Sequence, residues 1–452
     1  MEPKLEKKYG LFTAIAMVVG IVIGSGVFFK AEKILTATGG NLKQGILAWV
    51  IGGIIMISCA YTFSVMATKY QYVNGVVDYA EAAMGKKYAY YVGWFMAIIY
   101  YPTITSVLAW VSARYTCVIF GFSITGGECM TIACLYLVSS FALNALSPVL
   151  AGKFQVSTTI IKLIPLFLMA VVGTITGLRN GMTAYNFTHY VSQGTSNGLF
   201  TAIVAACFAY EGWIIATSIN AELKNAKRNL PLALIAGTFI TMSVYILYYI
   251  GLAGTIKNEV MMAGGEAGAK LAFETIFSSA GGSLLFVFVI ISCLGTLNGL
   301  MLGCTRGIYS LAARGLGPKP RIFSQVDPVT NMPVNSAILG LLLCGIWLFY
   351  FYGANLTTNW FGFFSFDSSE LPIVTIYALY IPIFIMFMTK GKDLNFFNRI
   401  LMPCLSLAGC VFMIIAAWFA HGMAVVAFLI VFFVVMTFGA ILLKRSKQIV
   451  SE

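Results

Sequence analysis

Residues 20–29 read GIVIGSGVFF, and they interrupt the first long apolar run of the chain. Gly20, Gly24, Ser25 and Gly26 are poor helix formers, placed where a membrane-spanning helix must satisfy its own backbone. Non-helical backbone at that depth is tolerated only where it is buried in protein or lines a cavity. A break here frees amide donors at the start of the next half-helix, where the helix dipole is positive and a carboxylate is favoured. Gly24, Ser25 and Gly26 are the candidate donors. The same glycines have a second reading, close helix packing, since Gly20 and Gly24 stand four residues apart.

The rest of the chain supplies the setting. Of 452 residues 60% are hydrophobic and only 10% charged, far below the usual share of a soluble domain. Hydropathy gives about twelve spans, near 10–37, 43–69, 88–120, 130–148, 153–178, 197–221, 230–256, 281–312, 333–353, 367–389, 397–419 and 422–443. The expectation is an all-α polytopic membrane protein. The net charge of +12 does not mark a nucleic-acid binder, because the basic residues form short groups in alternate loops. That is the positive-inside pattern, and it puts both termini, 1–9 and 444–452, in the cytoplasm of a cell-membrane protein. The first span is too long for a signal-peptide core and no cleavage site follows it. The outer connections 179–196 and 257–280 read as Gly-, Asn- and Ser-rich loops.

The sixth span carries a matching interruption, FAYEGW at 208–213. Spans one to five (10–178) and six to ten (197–389) therefore read as two inverted repeats, with 397–443 as two further helices. An odd number of spans per repeat inverts the second, and the two breaks meet near mid-bilayer. Where the sixth span breaks, the carbonyls of Phe208, Ala209 and Glu211 are freed as acceptors for an ammonium group. Together the breaks suit the zwitterionic backbone of an α-amino acid.

GIVIGSGVFF also resembles the first-helix signature of the amino acid–polyamine–organocation superfamily. FAYEGW with AELKNAKRNLPLAL (221–234), SCLGTLNGLMLGCTRGIYSLAARGLGPK (292–319) and DPVTNMPVNSAIL (327–339) resemble later motifs of that superfamily, in order and spacing. The likeness is closest to the L-type amino acid transporter branch and bacterial serine/threonine exchangers. It implies a LeuT-like fold of five plus five helices with discontinuous helices 1 and 6, and two extra. It also implies amino-acid transport by alternating access. Two loop positions depart from the pattern: Val76 replaces a glycine, and Ala226 a proline after Asn225.

By the same resemblance Phe208 is a gate over the substrate. Lys162, deep in the fifth span, stands where sodium-coupled relatives hold a cation, with its ammonium on first-span carbonyls near Gly20. It is there as a brace, or as a brace that also carries a coupled proton. The carboxylate of Glu211 attracts a cationic substrate, relays a proton or pairs structurally. Tyr245 resembles a site-lining tyrosine, with Tyr248 and Tyr249 as alternatives. Thr103, Thr105, Cys293 and Leu294 are candidate pocket residues.

Ten scattered cysteines without a CxxC pair, and two histidines in expected outer loops, offer no metal or disulfide framework. Cys129, near an outer rim, is an unpaired thiol or a cross-link to a partner. No cofactor, metal or catalytic cluster is expected, so the chain is read as no enzyme. Its partners are an amino-acid substrate and the lipid bilayer; the sequence calls for no partner subunit and leaves one open. The favoured reading is a sodium-independent exchanger or facilitator of neutral L-amino acids. Proton-coupled uptake, transport of cationic amino acids and a non-transporting sensor are the alternatives.

Overall fold

The computed structural model describes residues 10–24, 26–69, 75–191, 197–216, 223–330 and 332–451, and these form helices and turns with no strand among them. In chain order the helices are α1 Leu11–Val22, α2 Gly26–Ala37, α3 Leu42–Lys69, α4 Val76–Met84, α5 Lys86–Phe120, α6 Gly127–Leu146 and α7 Leu150–Arg179. There follow α8 Met182–Thr188, α9 Gly198–Ala209, α10 Trp213–Ala216, α11 Ala226–Ala253, α12 Asn258–Gly264 and α13 Glu266–Ala312. The last are α14 Pro320–Phe323, α15 Val334–Leu356, α16 Leu371–Lys390, α17 Phe397–His421 and α18 Met423–Ser451. Ten helices among the described residues are long and apolar enough to cross a membrane. The first and sixth expected spans are absent from that ten because each is cut into shorter helices: α1 and α2, then α9 and α10. The chain is an all-α polytopic membrane protein.

Residues 258–276, expected as loop, are helical instead. The glycines and serines that suggested a loop sit at the joints. Gly265 has φ +52°, and Ser278 has φ +64° where α13 loses helical geometry at Phe277 and Ser278. Met261 before the first joint, and Ala272 and Phe273 between the two, bury an apolar face. A helix that needs only short apolar stripes was masked by residues that serve its ends.

The described chain divides into two compact units. The first takes in the chain up to Lys86, Lys162–Phe288 and Val374–Ala420. Its centre is α3 and α11, with α1 against α11 and α9 against α2 and α3. One seam has no side chains between its helices. GTITG at 173–177 brings Gly173 and Gly177 of α7 onto Gly251 of α11 and Gly254, the residue that caps its C-terminus. A methyl group on Gly251 would lie 2.2 Å from the Met169 carbonyl oxygen, and one on Gly177 would lie 2.3 Å from the Gly254 Cα. Small residues spaced four apart permit this backbone contact. Outside the spans, Lys69 pairs with Asp393 and holds its carboxyl below the usual carboxylate range. Lys390 donates to the carbonyls of Ala83 (2.7 Å) and Ala82 (3.3 Å), so a cation caps the C-terminus of α4.

The second unit takes in Lys87–Ile161, Val289–Ile373 and the chain from His421 on. Here α5 packs on α6 and α15. A buried amide chain links three helices: Asn144 of α6 donates to Asn298 Oδ1 of α13 (2.9 Å), and Asn298 donates to Gln155 Oε1 of α7 (3.2 Å). Cys129 is fully buried, close to Cys117. It is thus enclosed within its own unit rather than presented at a rim. His421 closes α17, where a loop was expected, and its Nε2 lies 3.1 Å from the buried Glu370 carboxylate. Asp367, within 4.8 Å of both, already accepts the backbone N–H of Ser369 (2.7 Å) and Glu370 (3.1 Å), as a helix N-cap does.

The glycine seam generates a test. Gly251→Ala should destabilise the purified protein by on the order of 1–3 kcal/mol, because backbone cannot yield as a side chain does. Gly345→Ala, where an added methyl meets nothing within 4 Å, is the control and should leave the unfolding temperature in detergent unchanged. Equal melting curves for the two variants would refute the seam.

Candidate substrate site

The first unit holds both interruptions. α1 ends at Val22, and Ile23, with ψ 101°, leaves the helical path. α2 restarts at Gly26. Ser25, a predicted donor, lies outside the described residues. Gly24 and Gly26 are buried on either side of it. The amides of the first turn of α2 have no intrahelical acceptor, as at any helix start.

The end of α1 leaves carbonyls that need donors, and most of the donors come from elsewhere in the chain. Ile23 N–H closes on the Val19 carbonyl at 2.8 Å. Lys162 of α7, buried to 2% exposure, donates its ammonium to the Gly20 carbonyl. It is an N–H donor at a helix C-terminus, where the last carbonyls lack intrahelical partners. Tyr245 of α11 donates its hydroxyl to the Val22 carbonyl at 3.1 Å.

The second interruption follows α9. Tyr210, Glu211 and Gly212 form a turn, with Gly212 at φ +111°, a conformation open to glycine and strained for other residues. The Phe208 carbonyl accepts Glu211 N–H at 3.1 Å. The Ala209 carbonyl accepts the Tyr245 hydroxyl at 3.2 Å, so the same hydroxyl that reaches Val22 also reaches the second break. Each carbonyl oxygen has two lone pairs, and neither bond consumes the acceptor. Of the three tyrosines considered, only Tyr245 makes these bonds. Tyr248 packs edge-on against Phe28, and Tyr249 lies against Trp49 and Gly45.

The two breaks also touch directly. A methyl group on Gly26 would lie 2.5 Å from the Ala209 Cα. The packing reading and the break reading of this glycine are therefore both true: it starts a helix and lets that helix press on the end of another. Phe208, 5% exposed, lies beneath the ammonium of Lys30, 4.3 Å from the ring centroid. The Glu211 carboxylate is within electrostatic reach of Tyr377 on α16, whose hydroxyl accepts Trp213 Nε1–H at 3.3 Å.

Several of these residues escaped the sequence reading. Trp49 and Tyr210 hold Tyr245 in place: the Tyr210 and Tyr245 rings stack at 5.1 Å, and Trp49 meets Tyr245 edge-on at 5.5 Å. Tyr210 donates to the Trp49 carbonyl at 3.0 Å. Among so many aromatics nothing local marks these two. Lys30 did carry a signal, a lysine one helical turn beyond Gly26 inside the first span. The pocket candidates Thr103, Thr105, Cys293 and Leu294 belong to the second unit. There Thr103 bonds back to the Ile99 carbonyl (2.8 Å), Thr105 to Tyr101 (2.7 Å) with Cys304 Sγ at 3.2 Å, and Cys293 is buried with Leu294 partly so.

Two interrupted helices joined by side chains, inside a chain of apolar spans, define the class as a membrane permease. The amino acid permease family matches residues 9–441, and the chain belongs to that family. Its members are membrane transporters, not enzymes. Among curated proteins the chain is similar to the serine/threonine exchanger SteT of Bacillus subtilis, at 29% identity over 91% of each chain. It is 25% identical to the human b(0,+)-type amino acid transporter 1 over 74% of this chain and 69% of the other. It is also 24% identical to the glutamate/serine transporter AimA of Bacillus subtilis, over 77% and 67%.

The geometry makes two substitutions informative. Gly26→Ala should reach the membrane yet lose transport more than tenfold, because its methyl group meets main chain. Tyr245→Phe removes the donor of two buried carbonyls and should lower stability by about 1–3 kcal/mol. Thermal unfolding and uptake measured on the same preparation check both. An unaltered Tyr245→Phe protein would show that the hydroxyl bridges nothing of consequence.

Proposed function

We propose that the chain is a sodium-independent exchanger or facilitator of neutral L-amino acids working by alternating access. The observation that carries this reading is the pairing of the two breaks through Tyr245 and the Gly26–Ala209 contact. In the proposal, the amides of Gly24, Ser25 and Gly26 hold the substrate carboxylate and the carbonyls of Phe208, Ala209 and Glu211 hold its amine. A carboxylate at a helix N-terminus and an ammonium at a helix C-terminus are both favoured by the dipoles. Phe208 serves as the gate. Residues 10–178 and 197–389 serve as inverted repeats, and both termini are cytoplasmic. Thr103, Thr105, Cys293 and Leu294 are kept as pocket candidates.

Lys162 supports sodium independence. Its ammonium already occupies the Gly20 carbonyl, so a fixed cation performs the bracing that a bound sodium ion would otherwise supply. Serine is the substrate of first choice, because SteT and AimA are named for it. SteT being an exchanger also favours exchange over net uptake.

The test is counterflow in proteoliposomes preloaded with unlabelled L-serine and assayed with labelled L-serine. Saturable counterflow, unchanged by an inward sodium gradient, is expected. Its absence for every amino acid tried would refute the transport reading, and steep sodium dependence would refute the role given to Lys162. Stimulation by an inward proton gradient without internal substrate would favour proton-coupled uptake instead. Lys162→Met should cut counterflow at least tenfold, since the Gly20 carbonyl loses its donor in a buried setting. A Lys162→Met protein transporting at the normal rate would reduce the lysine to packing.

A further inference from the structure

Asp367, Glu370 and His421 gather within the second unit. Asp367 and Glu370 stand at the start of α16. His421 closes α17 just before Gly422, whose φ of +54° turns the chain into α18. One ligand atom of each residue lies within 4.8 Å of the others. Glu370 is buried at 0% exposure, while Asp367 and His421 are half-buried, so the group has a path to water. The sequence reading expected no metal, because nothing local joins Asp367 and Glu370 to a histidine so far along the chain.

Capping explains part of this arrangement. Asp367 Oδ1 accepts the N–H and the hydroxyl of Ser369 and the N–H of Glu370. It does not explain His421. The Nε2 of that ring lies 3.1 Å from Glu370 Oε2, yet the two atoms are not aligned as a hydrogen bond. In a hydrogen bond the N–H points along the line to its acceptor. In a metal complex both lone pairs point off that line, to a common centre. An ion about 2.0–2.1 Å from both atoms would subtend about 100° between them, near the tetrahedral angle. It would draw Asp367 closer, since ligands of one such ion stand about 3–3.5 Å apart. A carboxylate offers about four lone-pair sites, so the cap does not exclude ligation. It also orients the carboxylate, as the outer-shell bonds of metal ligands do.

We propose that Asp367, Glu370 and His421 form a binding site for a divalent transition-metal ion of the zinc class. One imidazole and two carboxylates make a donor set suited to zinc, whereas magnesium prefers oxygen ligands alone in octahedral geometry. The ion, with water as a fourth ligand, ties the start of α16 to the joint between α17 and α18. This site is independent of the transport reading and stands or falls without it.

The experiment uses the full chain in detergent, without a polyhistidine tag. It carries Cys134→Ser and Cys404→Ser, so that neither a tag nor an exposed thiol takes up the probe. Zinc chloride is titrated by calorimetry, and thermal unfolding is followed with zinc or with magnesium. One equivalent of zinc should bind, and zinc but not magnesium should raise the unfolding temperature. His421→Gln and Asp367→Asn should each weaken zinc binding at least about tenfold. Asparagine caps a helix about as well as aspartate. Asp367→Asn should therefore unfold near the parent temperature without zinc and lose only the zinc-dependent rise, a split that a purely capping Asp367 would not produce. If His421→Gln fails to fold, Asp367→Asn decides alone. Equal zinc binding in the parent and the variants would overturn the proposal, as would a parent protein that zinc does not stabilise.

Discussion

A helix interrupted inside hydrocarbon leaves main-chain groups that water cannot reach, and every one must find a partner within the protein. That requirement organises the first unit. α1 ends at Val22, and its exposed carbonyls are met by an ammonium from α7 and a hydroxyl from α11. α9 ends at Ala209, and the same hydroxyl meets it. An unsatisfied buried carbonyl costs on the order of 1–3 kcal/mol, so a break without these donors would be driven back toward continuous helix. The lysine and the tyrosine are what allow the chain to stay broken.

The packing around the breaks follows the same logic. Tyr245 serves two carbonyls only if its ring is held still, and Trp49 and Tyr210 hold it from two sides. Gly26 permits the approach of α2 to α9 that no side chain would allow. Farther along α7, Gly173 and Gly177 bring that helix against α11, the helix that carries Tyr245. Lys162 and Tyr245 thus project from two helices joined main chain to main chain.

The spans were legible because hydrocarbon imposes a length and a composition, and the two breaks because weak helix formers sit inside apolar runs, a glycine cluster in the first span and Glu211-Gly212 in the sixth. Lys162 was legible because a charge at that depth demands a reason. Tyr245 emerged from resemblance rather than from chemistry, since its neighbours Tyr248 and Tyr249 offer the same hydroxyl and only folding decides which one faces the breaks. Trp49 and Tyr210 left no trace, because an aromatic that packs and one that positions look alike in a chain so rich in rings. The helices within 258–276 were hidden by the Gly and Ser residues that end them. The approach of His421 to Glu370 joins residues far apart in sequence, which no local pattern announces.

A tyrosine hydroxyl owns a single hydrogen, and at Tyr245 two carbonyls claim it. Whatever fraction goes to Val22 is withheld from Ala209. Any movement that draws Ala209 away leaves the hydrogen to Val22 and tightens the end of α1. Any movement that draws Val22 away hands it back. The ends of α1 and α9 are thus tied through one shared hydrogen, and its position changes with nothing larger than the turn of an O–H bond.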